Sequence, residues 1–464
     1  MDDAPLATRD AWLAMVASTL KGGGVGQLKR RTPDGLTIQA LYTAADAPQA
    51  AGLLLPARDA DRPWDVRTAT AHPDPAQANR EILDDLEGGA ASVLVHIDPS
   101  GRQGVAIGSA EQLARTLDGV ILELAPVGLD AGFLGPAAAD WLGEVGKSSP
   151  AAKLMFNLDP LSAFARAGAS PGPIAAHITT AASAAARLEA AYPKAGLFLA
   201  RGQVAHEAGG GAAIELGMAA ASALAYAKAL ANAGLGIEQA FGKITLGVSA
   251  EAEHFRTVAK MRAARMVWAR MTEACGVSLP AVIEARSSGR MLAARDVWTN
   301  MLRLTLAGFG AAAGGADAVI LGSFTDPLGL PTAFARRQAR NVQLVLMEEA
   351  HVGAVSDPAG GAWFIEALSD QIARAAWAAF QGIEAEGGII TALDSGRVAD
   401  AVAADRAALA AAEAPRIGDT LYPNADDAPP AIEPADPAAF AVDGPAPRLP
   451  GEDSRCPPLG PVTP

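Results

Sequence analysis

The chain has 464 residues, 50% of them apolar and only 5% aromatic, with 51 acidic residues against 37 Lys and Arg and a formal net charge of -14. Such a length suits one large barrel of about 200 to 400 residues as well as two smaller domains. The acidic balance argues against nucleic acid or an anionic membrane as a partner, because phosphate binding needs a basic surface that releases counterions.

Abundant alanine and few aromatics ask for a core of small and branched side chains under tightly packed helices, as in a soluble α/β protein. The two cysteines, Cys275 in an apolar helical run and Cys456 in a proline-rich tail, have neither disulfide nor metal spacing. Met1 is followed by Asp2 and Asp3, so no basic-then-apolar leader is read there, and a cytoplasmic address is expected. No apolar run reaches the ~18 uninterrupted residues of a membrane span. Residues 212–233 come nearest, and Glu215, Lys228 and the small residues between them mark a buried helix.

In chain order, residues 9–20 carry a helical stripe of Trp12, Leu13, Val16 and Leu20, broken by Gly22, Gly23 and Gly24. The glycines form a connector, since no strand precedes them and no Gly-Lys-Ser/Thr follows. From Arg62 onward, β-rich runs at 65–71, 92–97, 119–124, 153–158, 196–200, 243–248, 281–285 and 318–321 alternate with helical patterns. Eight such units predict a closed (β/α)8 TIM-type barrel over 61–330, with any reacting groups at the C-terminal ends of its strands. Residues 1–60 form an N-terminal arm and linker, and 331–414 a helical extension with helices at 332–349, 363–386 and 397–413. The tail, 415–464, is rich in proline, alanine and aspartate and reads as an extended arm or disorder, wrapping a partner or hanging free.

The densest motifs lie between Ile283 and Gly388. The chain reads Ile283-Glu284-Ala285-Arg286-Ser287-Ser288-Gly289, then Arg295-Asp296-Val297-Trp298-Thr299-Asn300, Leu330-Pro331-Thr332, Ala339-Arg340-Asn341-Val342-Gln343 and Asp357-Pro358-Ala359-Gly360-Gly361. This order and spacing resembles the methylmalonyl-CoA mutase family, which reads S-G-x6-D-x-x-x-N, L-P-T, A-R-N-x-Q and D-P-x-G-G. Residues 258–269 similarly resemble the family's V-A-K-L-R-A-A-R-x-L-W-A, on a helix over 252–274 whose Phe255, Val258, Met261 and Trp268 make it a packing helix first.

The resemblance implies a barrel that takes coenzyme A esters down its axis and adenosylcobalamin against its mouth, where breaking the cobalt–carbon bond makes a radical. It also implies that the reactive groups are lost here. The family's wedge tyrosine falls on Ala69, and its thioester-binding histidine falls on Val204, within Gly202-Gln203-Val204-Ala205-His206-Glu207-Ala208-Gly209. His206, two positions later, points elsewhere. Phe156 stands for a substrate-contacting glutamine and reads as core filler beside Asn157. The cobalt ligand motif D-x-H-x-x-G is not found around His72, His96, His177, His206, His254 or His351. The roughly fifty residues after Pro415 are too few for a cobalamin domain, so this chain is expected to bind no cofactor itself. Arg62, Arg67, Lys243 and Thr245 match positions that approach coenzyme A in the family, and read either as vestigial substrate contacts or as inherited ion pairs.

The resemblance is to the small subunit of heterodimeric mutases, which accompanies a large catalytic chain holding adenosylcobalamin. The expectation is a non-catalytic stabilising subunit of a methylmalonyl-CoA mutase, with a coenzyme A ester as a candidate ligand and with no nucleic-acid or membrane partner. An alternative is a catalytic acyl-CoA barrel that works with a separate cobalamin-binding subunit. A third reading, an unrelated barrel, requires a tight acid–base cluster at the strand ends.

Overall fold

The computed structural model describes residues 8–21, 23–32, 34–48, 53–57, 59, 61–412, 414–424 and 426–462. Gly22 of the glycine connector and Glu413 at the end of the last expected helix lie outside the described residues. Two short strands, β1 (Arg30–Arg31) and β2 (Thr37–Ile38), pair as an antiparallel hairpin in the arm. Eight parallel strands then close a barrel: β3 (Asp65–Thr70), β4 (Ser92–His96), β5 (Val127–Asp130), β6 (Met155–Leu158), β7 (Gly196–Arg201), β8 (Ile244–Ala250), β9 (Val282–Ser287) and β10 (Ala318–Ile320), with β10 beside β3.

Strand residues alternate between the helices outside and the lumen inside. Val93, Val95, Val127, Leu129, Phe156 and Leu158 belong to the apolar layer shared with the outer helices. Phe198 of β7 stacks on Tyr226 with ring centroids 4.5 Å apart. The helix Ala212–Asn232 is long and apolar enough to cross a membrane, but it is largely buried within this fold. It crosses Trp363–Ala385 so closely that a Cβ on Gly217 would lie 2.8 Å from Ala379 Cβ, so small residues are required at this crossing.

One expected strand is corrected. Residues 119–124 form turns that continue the helix Ala110–Thr116, with Leu124 N and Ala125 N both donating to Ile121 O. Ile121 and Leu124 are exposed. The third barrel strand is Val127–Asp130 instead. Its Gly128 and Asp130 hide the apolar signal: a Cβ at Gly128 would lie 3.2 Å from Asn157 Nδ2 and from Leu94 Cδ1, so the lumen leaves no room there.

Beyond the barrel come Ala333–Leu344, a π-turn at Val345–Glu349, Trp363–Ala385, Ile389–Asp394 and Arg397–Ala411. The arm helix Arg9–Thr19 has no buried residue, and Arg9 Nη1 pairs with Asp46 Oδ1 at 2.8 Å. Asp34 holds the arm to the barrel by accepting from Arg256 Nη2 at 2.5 Å and from Ala212 N at 3.2 Å.

The tail lies on this chain's own barrel. Its N–H groups find carbonyls around the C-terminal rim in turn: Glu433 N to Leu330 O, Val442 N to Pro99 O, Leu449 N to Pro171 O, Cys456 N to Gly168 O, Leu459 N to Ala165 O and Val462 N to Glu207 O, all between 2.7 and 2.9 Å. Its prolines have no N–H to satisfy and favour an extended path, which leaves these donors free to bond across to the rim. Gly108 makes the approach possible, because a side chain there would collide with Asp443 O.

Candidate functional site at the barrel mouth

The lumen is crossed by a ladder of charged side chains from alternate strand positions. Arg67 on β3 donates through Nε to Ser92 Oγ (2.8 Å), through Nη1 to Glu284 Oε2 (2.6 Å) and through Nη2 to Asp65 Oδ2 (2.6 Å). The other oxygen of Glu284 on β9 accepts from Arg286 Nε at 2.9 Å. Arg286 Nη1 reaches Asp130 Oδ2 of β5 at 3.4 Å, and the same oxygen takes Arg201 Nη1 of β7 at 2.8 Å and faces His96 Nδ1 of β4 at 3.3 Å.

These pairings set the protonation of the carboxyls. Burial pushes Glu284 up, but Arg286, Arg67 and Arg201 outweigh it and hold the group at about 2. Burial likewise opposes ionisation of Asp130, and Arg201, His96 and Arg286 hold it well below the carboxylate range. Asp159 differs: burial dominates and raises it, although Tyr226 Oη donates to its Oδ1 at 2.6 Å and Arg201 lies nearby. In turn, burial and the Asp159 charge push the Tyr226 hydroxyl well above its ordinary value.

Above the ladder the mouth opens into two cavities of about 510 Å³ each. One lies over β3, β4, β9 and β10, lined by Ala69, His72, His96, Arg286 and Arg336. The other lies over β4 to β7, lined by His96, Asp130, Asp159, Arg166 and Arg201, with Pro447 of the tail at its edge.

The residues singled out in the sequence are scattered. Ala69 does line the first cavity, and its carbonyl accepts from Arg336 Nη1 at 3.2 Å. Val204, on the short helix Gln203–Glu207, is 3% exposed within the apolar core and lines neither mouth cavity. Phe156, read as core filler, is 1% exposed in the apolar layer with its ring 6.2 Å from that of Tyr192. Its neighbour Asn157, in the left-handed region at φ 47, is the β6 residue beside Gly128 inside the barrel. Arg62 is exposed ahead of β3, Thr245 is half-buried near the start of β8, and Lys243 Nζ bonds Pro193 O and lies 3.5 Å from Glu189 Oε1. Among the described residues no hydrogen bond or ion pair joins any two of Arg62, Arg67, Lys243 and Thr245. Arg67 has all three nitrogens committed to the ladder.

His206 lines neither mouth cavity and belongs to a second buried network. Its Nε2 lies 2.8 Å from Ser288 Oγ and its Nδ1 3.4 Å from Glu215 Oε2, which Lys260 Nζ holds at 2.7 Å. A tight acid–base cluster does exist at the strand ends, built on His96, Asp130 and Arg201. Sequence reading passed over it, because the three residues come from separate strands; the available signal was that each ends its strand.

The family model described as methylmalonyl-CoA mutase matches residues 32–443. A methylmalonyl-CoA mutase small subunit of Streptomyces virginiae is 39% identical, covering 94% of this chain and 73% of that protein. The small subunit of Propionibacterium freudenreichii subsp. shermanii is 34% identical, covering 87% and 67%. The Streptomyces virginiae large subunit is 27% identical over 90% of this chain and 62% of its own length, so similarity to the small subunit of that organism is the greater. With the closed parallel barrel, these matches set aside an unrelated barrel: the chain belongs to the methylmalonyl-CoA mutase family.

Proposed function

We propose that this chain is the small, non-catalytic subunit of a cobalamin-dependent methylmalonyl-CoA mutase. It stabilises a large catalytic chain that carries adenosylcobalamin, and the pair interconverts methylmalonyl-CoA and succinyl-CoA in the cytoplasm. The observation that carries this reading is the ladder from Arg67 through Glu284, Arg286 and Asp130 to Arg201. A thioester threaded along the axis would have to displace these pairs, and each buried charge left without its partner costs about 3–5 kcal/mol.

The groups at the mouth also support it. Ala69 offers only a methyl group, and Val204 is turned into the core. The two mouth imidazoles do not suit a resident corrin. His72 is 6% exposed with Nδ1 accepting from Asp74 N at 3.1 Å, and His96 faces Asp130. Arg67 and Lys243 then act as structural residues and not as coenzyme A contacts. The alternative, a catalytic acyl-CoA barrel served by a separate cobalamin-binding subunit, needs an open axis and is disfavoured by the ladder.

Relatives named small and large subunits in one organism support a two-chain complex. Co-expression with a large-subunit-type chain, followed by size exclusion with corrin absorbance, tests this. The expected result is a one-to-one complex with corrin only when the large chain is present. A lone homodimer of this chain that retains corrin contradicts it.

A further inference from the structure

The second mouth cavity holds a guanidinium with a free edge. Arg201 spends Nη1 on Asp130, but its Nε and Nη2 are buried without a hydrogen-bond partner, and Asp159 Oδ2 is 3.7 Å from Nε, too far to satisfy it. Buried unpaired donors call for water or a ligand. The Nε–Nη2 edge presents two parallel N–H groups, the geometry that matches the two oxygens of a carboxylate.

A second, independent group faces the same space. Arg166, on the helix Pro160–Ala167, lines this cavity and makes no hydrogen bond or ion pair among the described residues. We propose that this cavity binds a free small carboxylic acid as its carboxylate, gripped side-on by Arg201 and closed over by Arg166.

The ligand class follows from charge and shape. Asp65, Asp130, Asp159 and Glu284 face Arg67, Arg201 and Arg286 along the lumen, and Arg166 adds one more positive group at the mouth. That near balance suits one negative charge better than the two of a phosphate. The cavity, about 510 Å³, takes an acid of a few carbons, and the ladder beneath it stops a long thioester arm from following. The inference stands whether or not the chain is a non-catalytic subunit, because it concerns a free acid and not the thioester.

Calorimetric titration of the full chain with propionate, succinate, inorganic phosphate and, at matched ionic strength, potassium chloride tests it. Propionate, with one negative charge, should bind at one site per chain, ahead of both succinate and phosphate. Arg166→Gln should weaken that binding by about tenfold, the worth of one charge-assisted contact. Arg201→Lys, which keeps the charge and loses the side-on edge, should weaken it at least as much; if that variant does not fold, Arg166→Gln decides alone. Absence of propionate binding, phosphate binding as tightly as propionate, or unchanged propionate affinity in Arg166→Gln each overturns the proposal.

Discussion

Arg67 and Glu284 meet inside the barrel with Nη1 2.6 Å from Oε2, although 217 residues separate them in sequence. Both side chains are nearly inaccessible, at 8% and 1% exposure. The pair therefore ties the first barrel strand to the seventh through the lumen, and its partners Arg286 and Asp130 carry the connection to the mouth. The barrel thus keeps the family's scaffold with charged pairs across its lumen.

Removing one member of this pair should be more damaging than removing both. Arg67→Ala leaves Glu284 buried with one cation fewer and should cost about 3–5 kcal/mol, whereas Arg67→Met with Glu284→Met, which still takes one partner each from Asp65 and Arg286, should cost less than the single change. Denaturant midpoints of the single and double variants check the order.

Acid should loosen the ladder over a defined window. Glu284 sits at about 2 in the folded chain, against ~4.3 for a free glutamate. The folded state therefore binds fewer protons between those values. Its stabilisation is complete above about pH 4.5 and is lost as pH falls through about 2. Asp130, also depressed, acts in the same direction. Stability measured down this range should fall more gently in Glu284→Gln than in the parent.

The barrel was legible in the sequence where branched apolar runs stand alone, as in Val93-Leu94-Val95 of β4. It was misread at residues 119–124, where Val120-Ile121-Leu122 has the composition of a strand but follows directly on a helix and turns back on it. The true strand is masked by Gly128 and Asp130, which serve the lumen and not the apolar layer. The ladder was not legible, because its partners come from five strands and their pairing is a property of barrel closure. The same holds for the tail, which is seated by hydrogen bonds to distant loops that leave no local period. Val204 shows the limit of aligning motifs: position in a motif did not say which way the side chain faces, whereas Phe156 is buried in the core as its apolar ring suggested.

The tail's seat on the rim depends on Gly108. Gly108→Val should drive a side chain into Asp443 O and lift the segment there without unfolding the barrel. Limited proteolysis should then cut near residues 440–445 in the variant and spare the parent, with unchanged far-ultraviolet circular dichroism.

Restoring the family's side chains should not restore chemistry. Val204→His would bury an imidazole in the apolar core without a designed partner, at a cost of about 1–3 kcal/mol. Combined with Ala69→Tyr, it should lower the melting temperature and yield no mutase activity in the isolated chain. Phe156→Ala should cost about 3–5 kcal/mol as a core truncation, with no effect on ligands of the mouth.

The most direct measurement is succinyl-CoA formation from methylmalonyl-CoA with adenosylcobalamin, using this chain purified alone and then combined with a large-subunit-type partner. The account predicts no conversion by the chain alone and conversion by the pair. Turnover by the chain with adenosylcobalamin and no second protein would contradict it.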